Sequence, residues 1–182
     1  MHSLFNTLRQ RGWTVRLAAS QQVLLPTTVA TRYATLQQEI LDFLAMAELC
    51  CNADETVWLF TAEDYAQTDA DRFRWNECEL MSLDAATDDP SWQAEITAFW
   101  DNHFPFMLAV HSDYDYLAVR ISDGSVVHGC APEWESPTQV TSSFGQFIKQ
   151  FELEAISSIP RYPFSIFLGT AGDPTTYYSG SA

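Results

Sequence analysis

Residues 99–135 read FWDNHFPFMLAVHSDYDYLAVRISDGSVVHGCAPEWE. Phe106 to Val110 is an unbroken apolar run, the pattern of a buried strand. In the next segment Leu117, Val119 and Ile121 alternate with Tyr116, Ala118 and Arg120, and a period of two places the two sets on opposite faces of a strand. The sets differ in polarity, which predicts one face on the core and the other less covered. Ser122-Asp123-Gly124-Ser125 predicts a two-residue hairpin turn, because glycine accepts a positive φ without steric cost. Val126, Val127 and His128 form the return strand, which ends at Gly129 and runs into the acidic, aromatic loop Glu133-Trp134-Glu135.

Upstream, Asp89 is the expected N-cap of a helix with Pro90 at its first position. Trp92, Ile96, Phe99 and Trp100 then recur at helical spacing, and Pro105 is expected to stop the helix shortly after His103. Residues 3–11 predict a short amphipathic helix through Leu4, Phe5 and Leu8, and Trp13 to Leu17 alternates as a strand. Tyr33, Leu36, Ile40, Phe43, Leu44 and Ala47 predict one helix over 33–49. Val57 to Phe60 predicts a short buried strand, followed by a turn capped by Thr61 and a polar loop over 66–72. Ser136-Pro137 is expected to open the last helix, with Val140, Phe144, Phe147, Ile148 and Phe151 as its stripe. Beyond it, Pro160, Pro163 and the apolar run Phe164 to Leu168 suggest an extended segment. Helices, then a strand meander, then a helix make an α+β class: a single domain with a mainly antiparallel sheet of about four to six strands flanked by helices.

The chain has 182 residues, 47% hydrophobic and 14% aromatic, which suits one folded domain and excludes a disordered chain. Its net charge is −15, from 24 acidic and 9 basic residues. Residues 1–38 carry +4 (Arg9, Arg11, Arg16 and Arg32) and residues 39–182 carry −19. An acidic body repels nucleic acid and steers basic partners toward it. Acidity of this kind also simply keeps a protein soluble. With one lysine, Lys149, and no glycine-rich phosphate loop, direct binding of nucleic acid or nucleotides is not expected. No window approaches the length of apolar chain that spans a membrane, and the opening MHSLFNTLRQRGW lacks the apolar centre of a secretory leader. Cys50, Cys51, Cys78 and Cys130 include no Cys-x-x-Cys pair, and Cys50 with Cys51 falls at the end of the expected helix. A cytoplasmic protein with reduced thiols is the expectation.

These motifs, in this order, resemble the SUKH superfamily. Leu25-Pro26 and Arg32-Tyr33 precede a helix, and Thr56-Val57-Trp58-Leu59-Phe60 is a first strand. Trp75-Asn76-Glu77 leads to Phe99-Trp100-Asp101-Asn102-His103-Phe104-Pro105. Tyr114-Asp115-Tyr116 opens a central strand that turns at Asp123-Gly124, and Gly129-Cys130-Ala131-Pro132-Glu133-Trp134-Glu135 closes the set before Val140, Ser143, Phe144 and Phe147. The likeness covers residues 24–151. Residues 1–23 stand as an N-terminal extension and 152–182 as a C-terminal one, partly mobile. A glycine common after the first helix in such proteins is not evident between Ala47 and Asn52. The resemblance implies an α+β protein with a non-enzymatic binding role, many members being bacterial immunity proteins that neutralise a secreted toxin, others regulators or scaffolds.

His111, Asp113, Asp115 and His128 could approach one another around the hairpin and hold Zn²⁺ or Fe²⁺, but no tight ligand motif is present, and no metal or cofactor is expected. Cys78 lies between Glu77 and Glu79, which oppose thiolate formation. No Gly-x-Ser-x-Gly elbow occurs, so no catalytic residue is assigned, and a small metal-dependent hydrolase is the least favoured class. Tyr114 and Tyr116 lie on one side of their strand, as a contact surface or packed beneath a helix. Trp134, flanked by Glu133 and Glu135, has the chemistry of an interface anchor beside charge; packing onto the core is the alternative. The expected contact set is Asp113, Asp115, Glu133, Trp134 and Glu135. It would face the basic surface of a cognate toxin domain, of which a nuclease's phosphate-binding patch is one example. An endogenous partner of a regulatory or scaffold module is the second possibility, and the oligomeric state is left open.

Overall fold

The computed structural model describes residues 2–19, 25–67, 74–111 and 113–169. In chain order these form α1 (His2–Gln10), β1 (Thr14–Leu17), α2 (Thr27–Arg32), α3 (Gln38–Leu44), β2 (Ala47–Cys51), β3 (Val57–Leu59), α4 (Ala62–Ala66) and α5 (Glu77–Ala85). They continue with α6 (Pro90–Asp101), β4 (His103–Val110), β5 (Tyr114–Arg120), β6 (Val126–Cys130), β7 (Thr138–Thr141), α7 (Phe144–Ile156) and α8 (Phe164–Leu168). The strands make one seven-stranded sheet in sequence order, every neighbouring pair antiparallel. The α+β class and antiparallel sheet are as expected, with slightly more strands. No helix among the described residues is long and apolar enough to cross a membrane.

Both faces of the sheet are covered, which corrects the expectation of a less covered face. Tyr116 lies against Trp100 of α6, ring centroids 5.0 Å apart. Its neighbour Leu117 points the other way, opposite His128, whose ring meets Phe167 of α8. Tyr116 and Leu117 are therefore both buried. On the α8 side an aromatic chain runs from Phe5 through Phe43 to Phe144, then from Phe106 and Phe147 to Phe151 and Phe164. Phe106 reaches it because β4 bulges between Pro105 and Met107. Proline, lacking an N–H, suits such a bulge. Pro105 is thus inside a strand, and α6 ends earlier, at Asp101.

Several local expectations change. The apolar stripe from Tyr33 to Ala47 is largely buried, but it belongs to a turn, to the short helix α3 and to the start of β2. Pairing of β2 with β1 overrides the helix propensity of Ala47, Glu48 and Leu49. Cys50 and Cys51 consequently stand on a strand. The Asp123-Gly124 turn is a five-residue loop over 121–125, with Gly124 at φ 73 and its N–H donating to the Arg120 carbonyl. Pro137 precedes β7, not a helix; the last long helix is capped by Ser143, whose hydroxyl accepts from the Gln146 N–H. Phe164 to Leu168 is a short helix instead of an extended segment. Asp89 does cap α6, accepting from the Ser91 and Trp92 N–H groups, and Thr61 with Asp64 completes a reciprocal cap on α4. Leu24, most of the 66–72 loop and residues 170–182 lie outside the described residues.

The first segment is part of this body. α1 packs along α7, and Leu4, Phe5 and Leu8 are fully buried. Arg11 donates to the carbonyls of Ala155, Ser157 and Leu168 at 3.1, 2.8 and 2.8 Å. Arg16 pairs with Glu48, and Arg32 with Glu79 and Asp101.

Candidate contact site

The five expected contact residues fall at one end of the sheet, where β5 begins and β6 ends, and in the loop that follows. Asp113 and Glu133 are exposed. Asp115 is cross-strand from Cys130. The Cys130 thiol is raised above its ordinary value, first by partial burial and then by the carboxylates of Asp115, Asp113 and Glu133. Three acids thus act on one exposed sulfur, and this corner is strongly negative.

The remaining members of the set have structural work. Asp115 accepts from Nε2 of His128 at 2.8 Å, and His128 is 3% exposed. Trp134 is only 7% exposed. Its carbonyl accepts the Tyr116 hydroxyl, and its indole N–H has no partner. Trp134 is therefore the loop tryptophan seated on the core, and an anchor role for it would require the loop to open. Glu135 Oε1 accepts from Trp100 Nε1 at 2.9 Å, tying the same loop to α6. Tyr116 likewise packs beneath a helix; burial raises its hydroxyl above the ordinary tyrosine value, and the nearby Cys78 and Glu135 add to the shift.

The other chemical candidates are dispersed. His111 Nε2 lies 3.1 Å from the Ile166 carbonyl, away from the His128–Asp115 pair in its bonding. Among the described residues no three His, Cys, Asp or Glu side chains form a metal-holding group. Glu77 holds Arg74 and Glu79 holds Arg32. Cys78 between them is buried, which pushes its thiol up to about 12, with Glu135, Glu77 and Asp115 adding to the rise. A thiol so placed is protonated at neutral pH and unsuited to nucleophilic attack.

Sequence reasoning missed an exposed apolar ridge at the end of α7. Leu153, Ile156, Ile159 and Tyr162 are 68%, 69%, 77% and 57% exposed. The available signal was that Leu153 and Ile156 are apolar yet fall off the Phe144-Phe147-Ile148-Phe151 stripe of their own helix. Tyr162 connects this ridge to the acidic corner, its hydroxyl 3.4 Å from Nδ1 of His128 and its ring edge-on to that imidazole.

Comparison with protein families, curated proteins and solved structures finds no match to this chain.

Proposed function

We propose that this protein is a non-enzymatic immunity protein of SUKH type, acting in the cytoplasm by binding a cognate toxin domain and occluding its active or substrate site. The observation that carries this reading is the ordered run of motifs from Leu25-Pro26 to Phe147, which spans most of the chain. Two further observations support it. The charge of −19 over residues 39–182 favours a basic partner. Asp113 and Glu133 stand exposed together beside Cys130, with Asp115 behind them, so part of that charge is gathered at one end of the sheet. Carboxylates at an interface rim act chiefly on the rate of encounter and on its salt dependence.

The test uses the purified product of the gene directly preceding this one, made with its activity intact. The wild-type protein binds it and suppresses its activity at equimolar ratio. The Asp113→Lys/Glu133→Lys double variant associates about tenfold more slowly at low salt and with a shallower salt dependence. A neighbour product that neither binds nor is inhibited overturns the immunity reading. A salt-insensitive housekeeping partner would point to a regulatory module.

A further inference from the structure

The proposed role needs an anchor as well as charge, and Trp134 is buried. We infer that the ridge Leu153, Ile156, Ile159 and Tyr162 is the apolar centre of the partner interface, with Asp113 and Glu133 as its acidic rim, and that the partner is a basic protein surface bearing an apolar recess. This rests on the immunity reading and names the surface that would serve it.

The four residues fall within one ten-residue stretch, 153–162. Leu153 and Ile156 are three apart on one face of α7. The next segment is folded back on that helix end, because the buried Glu154 carboxylate accepts from the Arg161 backbone N–H at 2.8 Å and from Arg161 Nε at 2.6 Å. Ile159 is held by the Ser157 hydroxyl, which donates to its carbonyl at 3.0 Å and accepts from its N–H at 3.2 Å. Tyr162 follows and reaches His128, and His128 reaches Asp115. An apolar centre thus adjoins a charged rim through three hydrogen-bonded side chains. Single exposed apolar residues are ordinary on a soluble protein, but four in one stretch mark a contact surface. Arg161 is neutralised by Glu154, and the other cation of this region, Lys149, stands exposed one turn before Leu153 on α7. The chain as a whole carries −15, which favours a basic partner over a second copy of this acidic chain.

The experiment measures binding of the same preceding-gene product to wild type, to Ile156→Ser/Ile159→Ser and, as a second and milder variant, to Leu153→Ser. These side chains are exposed, so unfolding temperature is expected to stay near wild type. The expected result is a Kd raised about tenfold or more by the double variant, through faster dissociation, with the salt dependence unchanged. The Asp113→Lys/Glu133→Lys variant shows the complementary pattern. Wild-type binding with both ridge variants within twofold of it overturns the inference and leaves the immunity reading standing. No wild-type binding overturns both. A wild-type dimer in sedimentation that Ile156→Ser/Ile159→Ser makes monomeric overturns the inference in favour of self-association.

Discussion

Arg32 on α2 and Glu79 on α5 meet in a two-pronged ion pair, Nη1 to Oε2 and Nη2 to Oε1, both 2.7 Å. Burial opposes the Arg32 charge, but its hydrogen bonds to Glu79 and Asp101 and the nearby negative charge outweigh that and hold its pKa above the ordinary value. Glu79 is almost fully enclosed, whereas Asp101, the second partner, is more than half exposed. Removing one partner of an enclosed pair strands the other charge. Glu79→Gln is expected to cost about 2–3 kcal/mol in urea unfolding, and Asp101→Asn less than about 1 kcal/mol. Equal losses from the two variants would show that enclosure of the pair does not set its worth.

Gly129 on β6 lies directly beneath the Tyr116 ring, and a Cβ there would overlap it. The ring cannot retreat, being packed at a tilt against Trp100 and hydrogen-bonded to the Trp134 carbonyl. Gly129→Ala should therefore lose about 2 kcal/mol through overpacking, although glycine to alanine in a strand otherwise gains about 0.5–1 kcal/mol. A gain in thermal stability would refute the close approach.

The four thiols should separate in labelling. Cys50, Cys51 and Cys78 are buried and Cys130 is exposed. The native protein should react once with an aromatic disulfide reagent, at Cys130, and four times when denatured. Burial and the neighbouring acids raise the Cys130 thiol, so its reaction near pH 7 is slower than that of a peptide thiol and is accelerated by salt or by Glu133→Gln. Rapid, salt-independent labelling would contradict the acidic corner.

Alkaline pH should destabilise the fold. Burial pushes the Cys50 and Cys78 thiols up to about 12, against an ordinary value of 9.0. The unfolded chain loses these protons first. Stability from these groups is therefore complete below about pH 9 and declines as pH rises toward 12. Tyr33, Tyr65 and Tyr116, also raised chiefly by burial, extend the decline above about pH 10. Urea midpoints at about pH 8 and about pH 10 should differ, and Cys78→Ala should narrow the gap. A flat profile across that interval would remove the buried thiols as its cause.

The hydrophobic pattern carried the sheet's centre and most of the burial, because β4 and β5 are long and strictly patterned and the caps at Asp89 and Thr61 are local chemistry. It failed where tertiary pairing decided the outcome. Nothing local distinguishes Ala47-Glu48-Leu49 from a helical continuation; the partner strand Thr14–Leu17 does. Val140 reads as part of a helical stripe because three and four residues onward lie Ser143 and Phe144, yet it pairs into β7. The acidic end of the candidate site was legible from Asp113 and Glu133. The exposure of Trp134 was not, because burial of a loop side chain depends on what folds over it, here β5 and the Trp100–Glu135 tie.

The reach of Arg11, just after α1, to carbonyls at 155, 157 and 168 constrains the order in which this body can close during synthesis. Each strand can pair with the one made just before it, so the meander grows in step with the emerging polypeptide and needs few distant encounters. α1, however, emerges before the first strand, and the turn that follows it finds its acceptors only in the much later segment 155–168. Until then Leu4, Phe5 and Leu8 have no α7 to lie against. A nascent chain arrested before residue 155 would hold all seven strands with the apolar face of α1 uncovered, and emergence of α7 and α8 would be the step that covers it against aggregation.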